Sequence, residues 1–156
     1  MTLLAALDDL ETLLKSDEKF IAWLAKYDCH NGKAVTFLKT NREVVNIPQR
    51  YLPCIILELP DGDFGAKGMG GVQQEFAHQI DLVFGIQVGH NKYEDAFNAR
   101  VELIDEVLPS FFLSHDRLGS YVNDAKLQKF STDSGVHFPK VFLQATILLT
   151  GYAKRG

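Results

Sequence analysis

Residues 79–88 restrict the fold more than any other stretch of this chain. Ile80, Leu82, Phe84, Ile86 and Val88 alternate with Gln79, Asp81, Val83, Gly85 and Gln87, a period of two that gives an extended strand one apolar and one mostly polar face. A strand of that kind belongs in a sheet covered by helices on one side. The helices are legible as well. Leu3, Leu7, Leu10 and Leu14 fall along one helical face, with Asp8, Asp9 and Glu11 opposite. Ser16 before Asp17 and Glu18 reads as the cap of a second short helix through Phe20, Trp23, Leu24 and Tyr27, stopped at Asn31-Gly32.

Further strands are expected at Ala34–Thr40 and, between Pro53 and Pro60, at Cys54–Leu59. Residues 61–71 are rich in glycine and read as a mobile connection. A long helix begins near Tyr93, with Phe97, Val101, Ile104, Val107, Leu108 and Phe111 as its apolar stripe and Pro109 expected to kink or end it. A terminal hairpin follows: Tyr121–Phe130, a turn at Ser131–Gly135, then Phe138–Thr150. The order is α+β. It implies one mainly antiparallel, twisted sheet of about five strands with helices packed on one face, two of them N-terminal (residues 1–28) and one long and central. At 156 residues the whole chain, 1–156, reads as a single domain.

Composition narrows the class. Lys and Arg number 16 against 20 Asp and Glu, a net charge of −4. A protein held on duplex nucleic acid by phosphate contacts carries a basic excess, so no specific nucleic-acid binding is expected. The longest apolar runs, such as Cys54–Leu57, fall far short of the ~20 residues that cross a bilayer, and residues 1–10 hold no Lys or Arg. Neither a membrane partner nor a secretory signal is expected. Cys29 and Cys54 are the only cysteines and read as reduced thiols, with Cys54 in a strand.

The motifs of chemistry are weak. The five histidines form neither HExxH nor a pair at helical spacing, so no metal is expected. Ser114-His115-Asp116 has the residue types of a catalytic triad, but three consecutive residues do not converge as a relay. Gly65, Gly68, Gly70 and Gly71 fit neither a P-loop nor GxGxxG, and Val72 stands where an EF-hand needs its Glu. Catalytic residues and cofactors are therefore expected to be none. The alternative to a spent loop is one that orders against a partner through Phe64, Lys67 and Met69. Gln79, Asp81 and Gln87 on the polar strand face complete the candidate contact residues.

The strand after Pro53, the alternating strand Phe76–Val88, the helix Tyr93–Phe112 with Ala96, Ala99, Leu103 and Ile104 facing inward, and the terminal hairpin ending Ile147-Leu-Leu-Thr-Gly-Tyr resemble the tail terminator, or tail completion, proteins of long-tailed bacteriophages. The minor tail protein U of lambda-like phages is one member, and similar small proteins occur in the tail clusters of Mu-like prophages. The resemblance covers about residues 50–152 and rests on element order, length and hydrophobic pattern. It implies a non-enzymatic structural protein, made in the host bacterial cytoplasm and carried in the virion tail. Its partners would be other copies of itself in a six-membered ring, the tail tube protein and the head–tail connector proteins. The ring would end tube polymerisation and offer a surface for the head. A connector or stopper of the same neck region is the nearest alternative. A small α+β enzyme using scattered residues such as Glu75, His78 and Asp81 is the alternative from another class, although His78 and Asp81 fall on opposite faces of a regular strand.

Overall fold

The computed structural model describes residues 2–30, 32–40, 47–67, 73–119 and 121–154. The first helix, α1 (Leu3–Ser16), is capped by Thr2, whose hydroxyl accepts from the Ala5 N–H at 3.2 Å. A single extended residue separates it from α2 (Glu18–Tyr27). That residue, Asp17, is the cap: its carboxylate accepts from the Phe20 N–H at 2.9 Å. Ser16 does not fill the expected role, because α1 continues through it and its hydroxyl donates back to the Thr12 carbonyl.

Five strands follow in one mixed sheet: β1 (Thr36–Lys39), β2 (Cys54–Lys67), β3 (Gln73–Gln87), β4 (Asp124–Thr132) and β5 (Lys140–Lys154). Their order across the sheet is β1-β2-β3-β5-β4. The fold is α+β as expected, but the sheet is mixed: β1 runs parallel to β2, while the other neighbours are antiparallel.

The largest departure from expectation lies in β2. Cys54–Leu59 was to be followed by a mobile loop at 61–71, yet the strand runs on to Lys67, paired with β3 as far as Gln74. Pro60 falls within the register shift between Glu58 and Asp61, where a missing N–H costs no ladder bond. The remainder of that stretch, 68–71, lies outside the described residues.

A further helix, α3 (Tyr93–Glu102), leads through a wider turn at Leu103–Val107 into α4 (Leu108–Ser114). In that turn the Leu108 N–H donates to the Leu103 carbonyl five residues back. The widened turn stands just before Pro109, so the helix passes the residue that has no N–H to give, and it does not end there.

Two cores result. The larger lies between the helices and one sheet face, with Leu10, Leu14, Phe20, Trp23, Ile80, Leu82, Phe84, Ala99, Phe111 and Ile147 among its members. The Trp23 Nε1–H donates to the Ala99 carbonyl at 2.9 Å and locks α2 to α3. The smaller core is on the opposite face, where Ile47, Leu52, Cys54, Ile56, Val83 and Phe142 pack together. Gly85 makes that core possible: a Cβ there would meet the Phe142 ring at 2.7 Å and the Cys54 sulfur at 2.9 Å.

Gly85→Ala should therefore cost about 1–3 kcal/mol of stability, read as a lower urea midpoint with an unchanged slope. The thiols supply a second check. Cys29 is exposed, whereas Cys54 is buried and its thiol pushed up to about 12 by that burial. A thiol reagent should titrate Cys29 alone in the native protein and reach Cys54 only on unfolding.

Candidate functional site

The residues singled out from sequence fall in three different settings. Gln79, Asp81 and Gln87 share the β3 face that turns away from the helices, but they do not form one wet surface. Asp81 is only 7% exposed and accepts from the Thr146 hydroxyl at 2.8 Å. Gln87 belongs to an internal anchor: its N–H donates to the Asp28 carboxylate at 3.1 Å and its carbonyl accepts from the Cys29 N–H at 2.7 Å. These bonds of the Gln87 backbone tie the end of α2 to the end of β3, and its side chain is half-buried. Gln79, half-buried, sits level with Leu148 of β5. Phe64 and Lys67 stand in β2, level with Phe76 and Gln74, and not in a loop. Met69 lies outside the described residues.

The helix-free face is thus divided. Its apolar half is covered by the segment around Ile47–Leu52. Its polar half carries Glu58 level with Asp81 across the β2–β3 ladder and Thr146 beside Asp81 on β5. Burial, reinforced by the negative charge of Asp81, raises the Glu58 pKa above the ordinary carboxylate value.

The long helix carries a surface that its sequence pattern concealed. Its inward residues are Ala96, Ala99, Leu103 and Val107. Phe97 and Val101, expected in the core, are 66% and 44% exposed, and Tyr93 is 64% exposed. Spaced by four residues, these three form an outward apolar stripe. The reason lies in size. The small side chains of Ala96 and Ala99 let the helix approach α2, and the aromatic residues one step around the helix then fall outside the contact. The sequence offers two apolar faces on this helix: the stripe that includes Phe97 and Val101, and the face of Ala96, Ala99 and Leu103 that the resemblance sets inward and that is the buried one.

The stripe borders a groove of ≈ 360 Å³ lined by Phe97, Arg100, Val101, Ile104, Thr132 and Gly135. One wall is the β4–β5 turn, fixed to α3 by the Arg100 guanidinium on the Asp133 carboxylate at 2.7 Å. Asp133 also accepts from the Gly135 N–H at 3.0 Å, so the turn is shaped by the same carboxylate that anchors it. Tyr93 stacks on Phe138 at 4.2 Å, extending the apolar patch over the start of β5, where Val136 is also exposed.

The scattered enzyme-like residues are not brought together. His78 stacks on Phe76 at 4.9 Å and burial lowers its pKa. Asp81 faces Thr146 on the other side of the strand, and Glu75 accepts from the Tyr152 hydroxyl at 3.3 Å. Among the described residues no group of three or more His, Cys, Asp and Glu side chains is placed to hold a metal ion, and no helix is long and apolar enough to cross a membrane. Neither protein-family models nor curated proteins give a match to the sequence.

The Glu58 carboxyl generates a pH prediction. Its raised pKa means that the folded chain holds this proton more tightly than the unfolded chain, so stability falls as pH rises from the ordinary carboxyl value through the raised one. Glu58→Gln removes that penalty. The variant should be more stable than wild type near pH 7, with the gap closing toward about pH 4. Urea titrations at the two pH values check it, and an equal gap at both would show that the side chain's charge is irrelevant.

Proposed function

We propose that this chain is a structural protein of phage or prophage tail assembly, acting as the tail terminator. Copies of it form a ring on the last ring of the tail tube, stop tube growth and present the surface to which the head attaches. The observation that carries the reading is the outward stripe Tyr93, Phe97 and Val101 beside the Arg100–Asp133 groove. Large aromatic residues held on a rigid helix and left in solvent are the composition of a protein-binding surface, since single exposed apolar residues are ordinary but a contiguous set is not. The resemblance of residues 50–152 to tail terminator proteins supports the choice of partners. The exposed stripe supports a role carried out by contact.

Electron microscopy of induced lysates with and without the gene tests this. Loss of the protein should give overlong tails that are not joined to full heads, and the wild-type chain should restore normal particles. A chain carrying Phe97→Asp and Val101→Asp should fold, because both side chains are already solvated, but should fail to restore them. Normal tails attached to heads in the absence of the gene would overturn the proposal, and headless tails of normal length would point to a connector.

A further inference from the structure

We infer that copies of this chain join edge to edge, β4 of one copy pairing with the outer half of β2 in the next so that a single sheet runs through the assembly. The inference rests on the ring reading above for the closure of the assembly, and its evidence is separate. Strand β4 forms one border of the sheet. On the opposite border β1 covers only Cys54–Leu57, so among the described residues the stretch Glu58–Lys67 is paired on its β3 side alone. At the start of β4 the Ala125 N–H is given to the Asp116 carbonyl at 2.7 Å, so the edge on offer begins after it, at Lys126. Two different edges on opposite sides of one subunit are what a head-to-tail contact requires.

Strand polarity agrees. β4 is antiparallel to β5, β5 to β3 and β3 to β2, so β4 runs antiparallel to β2. Repeating the subunit side by side in the plane of the sheet therefore brings the two edges together as an antiparallel pair, the better-bonded ladder.

Charge and bulk agree as well. The β2 segment carries Glu58, Asp61 and Asp63 against Lys67, while β4 carries Lys126 and Lys129 against Asp124. Among the described side chains of these edges, Leu59 is 50% exposed and Phe130 52%. The antiparallel register that sets Phe130 opposite Leu59 sets Lys126 opposite Asp63. It also respects the pleat. Phe130 is level with Ala145, on the helix-covered side. Lys126 is level with Leu148 and Asp63 with Ala77, positions that share the other side through β3 and β5. A slip of one residue would lose both matches at once.

The test uses the full chain in sedimentation velocity at concentrations up to about 1 mM. Wild type should associate. The pair Lys126→Glu with Lys129→Glu, and the pair Asp61→Lys with Asp63→Lys, should each remain folded by circular dichroism and weaken association by at least about tenfold. Mixing the two variants should restore it, because each edge of one then meets an edge of opposite charge on the other. With Cys29 replaced by Ser, a chain carrying Leu59→Cys and Phe130→Cys should form disulfides between copies. A monomeric wild type, variants that associate like wild type, or a mixture that stays apart would overturn the inference, leaving the β4 lysines as guards against aggregation. If the Lys126→Glu, Lys129→Glu chain still restores normal tails in lysates, edge pairing fails and the terminator reading stands. If the edges pair as described but deletion leaves tails unchanged, the terminator reading fails alone.

Discussion

The pairing of β3 with β5 holds this molecule together. The two strands are matched residue for residue from Gln73 with Lys154 to Gln87 with Lys140, without a bulge. Because the side-chain period is two, that unbroken register fixes the side on which every residue of both strands lies. Ile80, Leu82, Phe84 and Ile86 then meet Ile147, Ala145, Leu143 and Val141 as one continuous apolar floor. The helices settle on that floor. The irregularities are confined to the neighbouring ladders, at Glu58–Asp61, Phe64–Lys67 and Leu127–Lys129, where a shift in register disturbs an outer strand and leaves the spine intact.

How much of this was legible depends on how local the deciding force is. The alternation of Ile80–Val88 is local, and it correctly announced a sheet with helices on one side. The N-terminal helices were legible for the same reason. What escaped was set by partners distant in sequence. Nothing in Asp61–Lys67 alone marks a strand, since its glycines and aspartates favour turns. It is extended because β3 offers it an edge as far as Gln74. Likewise nothing local to Gln87 shows that its N–H is given to the buried Asp28 carboxylate, 59 positions away in the chain.

The candidate contact surface illustrates a second limit. Periodicity marks apolar residues on one helix face, but it does not say which of two apolar faces is buried. On α3 the choice went to small residues: Ala96 and Ala99 face inward, Trp23 bonds the Ala99 carbonyl, and the neighbouring aromatic residues are left outside. A core that wanted Phe97 would have had to hold α3 farther from α2 and give up the tryptophan bond. Close packing of helix backbones and an exposed aromatic stripe are therefore two consequences of one arrangement.

That arrangement also separates what must stay rigid from what is free to meet a partner. The elements that set the fold, the β3–β5 spine and the Trp23–Ala99 contact, are interior. The outward residues, Tyr93, Phe97 and Val101 on the helix and Phe130 and Leu59 on the strands, hang on those elements without helping to define them. A surface built this way changes by substitution at little cost to the fold, because removing a solvated side chain leaves no cavity. It also arrives at its partner already ordered. Side chains on a packed helix lose less freedom on docking than those of a loop, and more of their contact area is realised as affinity. The Arg100–Asp133 pair serves the same end. It spans from α3 to the β4–β5 turn, so the groove beside Phe97 has two walls held by one ion pair with side chains only 14% and 8% exposed. Partly buried pairs of this kind add little net stability but penalise any geometry that separates them. Its physical effect is to fix the shape of the surface that the exposed stripe borders.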